Sequence, residues 1–257
     1  MLTKAKHTAI KSLLQKKYRE NEGKFIIEGW KSIDEAVSAG IHLESVLYEK
    51  SKITDEKFFQ RIQKVAGECI EISAKEISSL SDTVTSQGIV AVVPKLSNLH
   101  DLATLIHKDE ARIIAVEGIN DPGNLGTIIR TCDWFNIDAL VISKNSVELY
   151  NPKVVRATMG SLFHLPIIDD TDLVAFIKKS KHEGFTIYSA ELRESVQVQN
   201  VKWANKSIVV IGSESHGVSS EVSQLTDFKV SIPQYGKAES LNAAIACAVI
   251  VSRMKMG

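Results

Sequence analysis

Hydrophobic positions in this chain fall into short runs, separated by polar turns and by stretches with helical spacing. The C-terminal stretch sets the frame. Asp227 to Ile232 reads as a strand, a polar loop carries Pro233 to Asn242, and Ala243 to Val251 is apolar throughout, with four alanines and no Gly, Pro or charge. Continuous apolarity fits a helix buried on all sides or a core strand. The alanines favour the helix, since they lose no side-chain entropy there. The run is far too short to cross a membrane. Ser240 sits at the expected N-cap, which puts Asn242 in the first turn among unpaired backbone N–H groups. A strand thus leads through a polar loop into a buried helix, the kind of strand-end crevice where α/β folds bind small ligands.

The same reading upstream gives two α/β units. In the first, Phe25–Ile27, Val46–Tyr48, Cys69–Ile72 and Gly88–Val93 read as strands, with helices over Gly29 to Ala39 and Asp55 to Ala66. Pro94 to Asn98 breaks the pattern. A short helix is expected over Asp101 to His107. A longer alternation follows: strands at Arg112–Val116, Ala139–Ser143, Leu165–Ile168, Thr186–Ser189, Ile208–Ile211 and Phe228–Ile232, with helices at Leu125–Phe135, Leu173–Lys181 and the C-terminus, and a further segment around Val154–Ser161. Strands separated by helices predict a mostly parallel sheet covered on both faces. The expected organisation is a small α/β domain over residues 1–95, a linker over 96–110 and a parallel-sheet α/β domain over 111–257.

Composition narrows the chemistry. Of 257 residues, 44% are apolar and 24% charged, which is ordinary for a globular protein. Net charge is zero, so affinity for nucleic acid needs segregated charge. Residues 1–24 supply some, with Lys4, Lys6, Lys11, Lys16, Lys17, Arg19 and Lys24 against Glu20 and Glu22. Such an excess faces either solvent, as a solvated helix face, or a phosphate backbone, for which Lys4, Lys11 and Arg19 are the candidate contacts. Cys69, Cys132 and Cys247 are scattered, without a CxxC pair, and the histidines lack metal-ligand spacing. No metal site, no disulfide framework and a reducing cytoplasm are expected. The basic N-terminus has no apolar core of a secretory signal.

Three strand-end loops carry candidate chemistry. The first, Glu117 to Arg130, leaves a strand and opens a helix, yet matches neither GxGxxG nor GxxxxGK[ST]. A nucleotide-dependent oxidoreductase therefore lacks its fingerprint. On the helix, Leu125, Ile128, Ile129, Cys132 and Phe135 form an apolar stripe, while Arg130 lies opposite with Thr127 and Trp134. An arginine beside a tryptophan suits an interface. The second loop, Gly212-Ser213-Glu214-Ser215-His216-Gly217, only superficially fits a hydrolase nucleophile elbow. No histidine beyond the adjacent His216 follows Ser215, and Ser213 replaces the first glycine. Gly212 and Gly217 serve either close backbone approach to a ligand or a plain tight turn. The third loop holds Ser240 and Asn242.

Together these loops resemble the three motifs of the SpoU (TrmH) branch of the SPOUT RNA methyltransferases. The likeness rests on Asp121-Pro122, Asn124, Gly126 and Arg130; on Gly212, Glu214 and Gly217; and on Ile232-Pro233, Gly236 and Ser240-Leu241-Asn242. Arg156 to Phe163 is similar to the family's middle section. Phe25 to Gly29 and Ser86 to Val92 resemble the L30e-like substrate-binding domain often found ahead of it. Gln234-Tyr235 departs from the smaller or plainly apolar pair that relatives carry. The resemblance implies methyl transfer from S-adenosylmethionine to a ribose 2′-hydroxyl of ribosomal or transfer RNA, ribosomal RNA being favoured, by a homodimer with a deep trefoil knot and no metal. It implies a catalytic set of Arg130, Asn124, Glu214, Ser240 and Asn242, with Gly212, Ile232 and Leu241 holding the cofactor. The alternative is an RNA-binding or ribosome-assembly factor that uses the same surfaces without catalysis.

Overall fold

The computed structural model describes residues 2–81, 86–96 and 107–256. The chain divides into two compact units. One is formed by Met1–Ser97 with Leu149–His164, the other by Asn98–Glu148 with Leu165–Gly257. This division differs from the sequence expectation in one respect, since Leu149–His164 joins the first unit instead of staying with its sequence neighbours. The helix expected at Asp101–His107 and most of the linker at 96–110 lie outside the described residues.

In the first unit, α1 (Lys4–Ser12) and α2 (Lys16–Glu22) precede β1 (Lys24–Glu28). Gly23, at φ +63°, ends α2 in the left-handed conformation that glycine adopts without strain. Then come α3 (Trp30–Ser38), β2 (Ser45–Tyr48), α4 (Glu56–Val65), β3 (Cys69–Glu71), α5 (Ala74–Leu80) and β4 (Ile89–Pro94). The sheet runs β1-β4-β2-β3. β4 pairs antiparallel with β1 and β2, and only β2 and β3 are parallel. Residues 1–24 and α5 had no assignment from the apolar pattern. A signal for α5 was present, because Ser73 and Glu76 form a reciprocal capping box at its start. Ile10, Leu13, Ile26, Leu47, Ile77 and Val90 share the core on one face of this sheet.

The returning segment forms α6 (Pro152–Thr158) and packs on β1; Tyr150 sets its ring 4.5 Å from Phe25. Val154, Val155 and Leu162 are buried. Deleting residues 1–95 would strip these side chains of their partners.

Arg19 departs from its expected role. It is 2% exposed, and its guanidinium donates to the Leu13 carbonyl at 2.8 Å. A side chain turned into the core cannot meet a phosphate, so the inward bond removes it from the basic surface. Lys6 pairs with Glu68 and Lys24 with Glu44, while Lys4, Lys11 and Lys17 are exposed with no ion pair among the described residues.

The second unit holds β5 (Ala111–Val116), α7 (Pro122–Trp134), β6 (Ala139–Ser143), β7 (Ile167–Thr171), α8 (Leu173–His182), β8 (Thr186–Ala190), β9 (Val196–Gln197), β10 (Lys206–Ile211), α9 (Ser220–Ser223), β11 (Phe228–Ser231) and α10 (Ala243–Met256). Seven strands pair in the order β7-β6-β5-β10-β8-β11-β9, every pair parallel. Apolar runs such as Ile113–Val116 and Ile208–Val210 are fully buried, as a sheet covered on both faces requires. One face packs on Leu173, Phe176 and Ile177 of α8. α7 and α10 pack against each other. The apolar C-terminal run is thus a helix, though not one buried on all sides. Ala243, Ala244, Cys247, Ile250 and Val251 are buried, whereas Ile245 is 53% exposed. Because all seven strands are parallel, the three motif loops leave the same end of the sheet.

Gly160 gives the returning segment a direct test. It sits at φ +102°, and a Cβ there would lie 2.3 Å from Cγ of Glu35. Gly160→Ala is expected to lower the stability of the first unit by about 1–3 kcal/mol through backbone strain and collision. The midpoint of urea unfolding, followed through Trp30 fluorescence, checks it; an unchanged midpoint contradicts this packing.

Candidate active site

The first motif loop begins where β5 ends. Asp121 caps α7 by accepting from the N–H of Asn124 at 2.8 Å, and Pro122 takes the first helical turn, where no donor is lost. This Asp-Pro pair marks a helix start three residues earlier than the apolar stripe indicated. The loop is anchored twice more: Ser143 Oγ accepts from the N–H of Gly118 at 3.0 Å, and the Glu117 carboxylate accepts from the N–H of Ser219 at 2.9 Å. The second of these bonds ties the first loop to the second.

The second loop closes on itself. Ser213 and Gly217 exchange backbone hydrogen bonds of 3.2 and 2.9 Å. A Cβ on Gly212 would lie 2.0 Å from the Gly217 carbonyl carbon. Gly212 thus admits the loop's own backbone in a tight turn, and it also lines a cavity at the strand ends. The turn presents Glu214, which is exposed, next to Asn124.

The third loop ends at Asn242, not at Ser240, as the helix cap. Asn242 Oδ1 accepts from the N–H groups of Ala244 at 2.9 Å and Ile245 at 3.3 Å. An asparagine amide two residues from the first orphan donor reaches it without strain, whereas Ser240 lies a further two residues back. With its oxygen committed to the helix, Asn242 donates through Nδ2 to Oδ1 of Asn124 at 2.9 Å. Asn124 in turn donates through its own Nδ2 to Glu214. In the order Asn242, Asn124, Glu214 each amide donates through nitrogen and accepts through oxygen, and the chain ends on a carboxylate that only accepts. Three loops far apart in sequence are thus joined by one polarised chain of side chains.

Beside this chain lies a cavity of about 530 Å³ at the C-terminal ends of β8, β10 and β11. Ala190, Ile211 and Val230 form its floor, Ile250 and Ala246 of α10 one wall, and the loop from Ile232 to Leu241 its rim. Of the sequence-predicted residues, Gly212, Glu214, Ile232, Ser240 and Leu241 line it. Asn124, Asn242 and Arg130 do not. Arg130 is exposed on α7, less than two turns beyond Asn124, with Leu125, Ile128, Ile129 and Cys132 buried on the opposite stripe.

Sequence reasoning missed Glu191, which also lines the cavity. Burial alone would raise its pKa. Hydrogen bonds from Ser189 at 2.6 Å and Ser223 at 2.8 Å, and Lys229 at 3.1 Å, outweigh that and hold the carboxyl below its ordinary value. A fixed carboxylate therefore stands on the cavity wall. It follows β8, a strand whose C-terminal loop carries no recognisable spacing. Cys132 offers no rival nucleophile, because burial beside Cys247 pushes its thiol well above the ordinary value. Among the described residues, no three His, Cys, Asp or Glu side chains cluster as metal ligands, and no helix is long and apolar enough to cross a membrane.

Comparison with known proteins agrees with this geometry. Residues 111–252 match the SpoU rRNA Methylase family, and residues 6–91 match the MRM3-like substrate binding domain. The chain is 31% identical over 248 residues to the 23S rRNA (guanosine(2553)-2′-O)-methyltransferase RlmP of Bacillus subtilis, covering 95% of this chain and 94% of that protein. The AdoMet-bound rRNA methyltransferase of Sinorhizobium meliloti is 26% identical, with a TM-score of 0.88 across 100% of this chain and 96% of that one. The SpoU methyltransferase AviRb of Streptomyces viridochromogenes, at 24% identity and a TM-score of 0.88 over 99% of this chain and 98% of that one, shares the fold. With its three motif loops joined at one end of a parallel sheet and residues 111–252, more than half of the chain, matching the family, this chain belongs to the SpoU methylase family.

Proposed function

We propose that this protein transfers a methyl group from S-adenosylmethionine to a ribose 2′-hydroxyl of RNA, with ribosomal RNA as the substrate class. The observation that carries this reading is the chain Asn242–Asn124–Glu214 standing beside the strand-end cavity. The cavity suits the cofactor in size and chemistry. At about 530 Å³ it is in the range of small-molecule sites, with aliphatic walls for a purine and backbone groups of Gly212, Ile232 and Leu241 at its edge. Glu191, held by Ser189, Ser223 and Lys229, gives this wall a fixed polar edge. Bound there, S-adenosylmethionine supplies a methyl group already activated by a sulfonium charge. RNA as substrate is supported by the named activities of RlmP and the Sinorhizobium enzyme.

The protein's remaining work is to align the hydroxyl and stabilise charge on its oxygen. Arg130 is exposed and less than two turns from Asn124, and its planar fork can hold a phosphate while facing the oxygen that becomes negative. A guanidinium stays protonated, so Arg130 acts as an electrostatic stabiliser while the hydroxyl proton passes to solvent, the O–CH3 bond forms and the S–CH3 bond breaks to release S-adenosylhomocysteine. Asn124, already fixed by Glu214 and Asn242, positions the same nucleotide. Ser240 and Glu214 shape the cofactor end. Lys4 and Lys11 offer phosphate contacts of the first unit's own, and the domain organisation is that of a substrate-binding module ahead of a knotted catalytic one. Three free cysteines accord with a reducing cytoplasm.

A homodimer belongs to the same reading, supported by the exposed apolar side chains of Trp134 at 85%, Ile245 at 53% and Met256 at 75% on the packed pair α7 and α10. Sedimentation at micromolar concentration is expected to give a dimer for the wild type and a monomer for Trp134→Glu. A wild-type monomer refutes the assignment.

Arg130→Ala is expected to leave stability nearly unchanged, since the side chain fills no core space. Single-turnover methylation of ribosomal RNA from cells lacking the protein, at saturating RNA and cofactor, should fall by roughly 10²–10³, with cofactor affinity intact. Arg130→Lys should recover little of it, because an ammonium cannot span two oxygens. Wild-type turnover in the alanine variant removes Arg130 from the mechanism. Wild-type protein that binds RNA but transfers no label from the cofactor favours the non-catalytic alternative.

The combined substitution of Lys4, Lys11 and Lys17 by alanine should weaken RNA binding and flatten its salt dependence. The expected loss is about 0.7 log units of slope for each phosphate contact removed. Fluorescence anisotropy across a salt series measures it, and an unchanged slope takes this face out of the RNA path.

A further inference from the structure

The rim of the cavity carries an aromatic ring that nothing covers. Tyr235 is 95% exposed, although it lines the cavity mouth. Its loop is not slack. The Gln234 side chain donates through Nε2 to the carbonyls of Gly236 at 3.1 Å and Ala238 at 2.8 Å, so one amide clasps the backbone on the far side of the ring. A ring held out on a fixed support loses little further entropy when a partner covers it.

The neighbours indicate which partner. Gln234, Lys237 and Glu239 are all exposed around the ring. The core of a protein–protein contact is depleted in charge and gathers apolar side chains, as Trp134 and Ile245 do on α7 and α10. Leu192 and Leu241 are also exposed along the cavity lining, but a flat ring standing out at 95% exposure with a cation two residues away matches a nucleotide. The ring takes the flat base and the ammonium takes the phosphate.

We propose that Tyr235 stacks an unpaired base of the RNA next to the nucleotide being methylated, with Lys237 on the adjoining phosphate. The inference rests on the reading of the cavity as the methyl-donor site, since the rim of that cavity is where the RNA strand must approach. Tyr235 then acts as a substrate-positioning residue. It selects RNA whose bases are splayed out over duplex, because a paired base offers its faces only to its neighbours in the stack. The Gln234-Tyr235 pair serves recognition of RNA and leaves the adenosine wall to Ile232 and Leu241.

The test compares wild type, Tyr235→Ala, Tyr235→Phe and Lys237→Ala in binding a labelled single-stranded RNA of mixed sequence and its duplex. Tyr235→Ala should weaken single-strand binding about 5- to 150-fold, the stacking of one base. It should change duplex binding little and keep the salt slope. Tyr235→Phe, which retains the ring, should bind as wild type does, while Lys237→Ala should lower the slope. Methylation of ribosomal RNA by Tyr235→Ala should show a raised KM for RNA with kcat and cofactor affinity preserved. Equal loss for duplex and single strand, weaker cofactor binding, a monomer in sedimentation, or no change at all each overturns the proposal. A wild type without methyl transfer refutes the proposed activity, and the binding series still decides the role of Tyr235.

Discussion

Everything proposed for this site depends on one short chain of hydrogen bonds, from Asn242 through Asn124 to Glu214. Each member belongs to a different loop, and each loop is held by its own local device. A helix cap fixes Asn242, an aspartate cap followed by proline fixes the turn of Asn124, and a backbone hairpin fixes Glu214. Such bonds contribute only about 0.5–1.5 kcal/mol each to stability. Their larger effect is orientation. An amide that both donates and accepts cannot rotate without breaking two contacts, so Asn124 is presented in one pose. A group that must align a weak nucleophile needs that fixity more than it needs binding strength.

The parallel sheet makes the convergence possible. With every strand running one way, the loops after β5, β8, β10 and β11 emerge at one end. The loops after β8, β10 and β11 wall the cavity, and the loop after β5 stands beside it. Polar residues can then sit over an apolar floor of Ile211 and Val230, with Glu191 fixed at its edge by Ser189, Ser223 and Lys229. The site is thereby divided by chemistry: aliphatic walls and backbone on the cavity side, and exposed Arg130 and the amide chain on the side open to a polyanion.

The basic N-terminal segment shows how tertiary structure edits a charge count. Lys4, Lys6, Lys11, Lys16, Lys17, Arg19 and Lys24 read alike as positive residues in sequence. In the fold, Lys6 and Lys24 pair with glutamates and Arg19 turns inward to cap a carbonyl. Lys4, Lys11 and Lys17 remain outward. A sum of charges fixes the total field but not which cations are available to a ligand.

The sequence by itself determined six of the seven strands of the second unit, its parallel class and the three motif loops; the two-residue edge strand β9 is too short and too exposed to leave a pattern. Those features rest on local periodicity and on residue types whose chemistry is legible in short windows. Local signals also marked α5 through Ser73 and Glu76, and the start of α7 through Asp121-Pro122. Only the tertiary structure decided that Leu149–His164 leaves its sequence neighbours for the first unit, since burial of Tyr150, Val154 and Leu162 depends on partners more than fifty residues away. Only it decided that Asn242, not Ser240, caps α10, and that the cap's spare amide meets Asn124. Only it set Glu191 on the cavity wall, through two serines and a lysine contributed by β8, α9 and β11. Periodicity reports which side of an element is apolar; which polar groups meet is settled where separate elements end, and chain spacing carries no record of that.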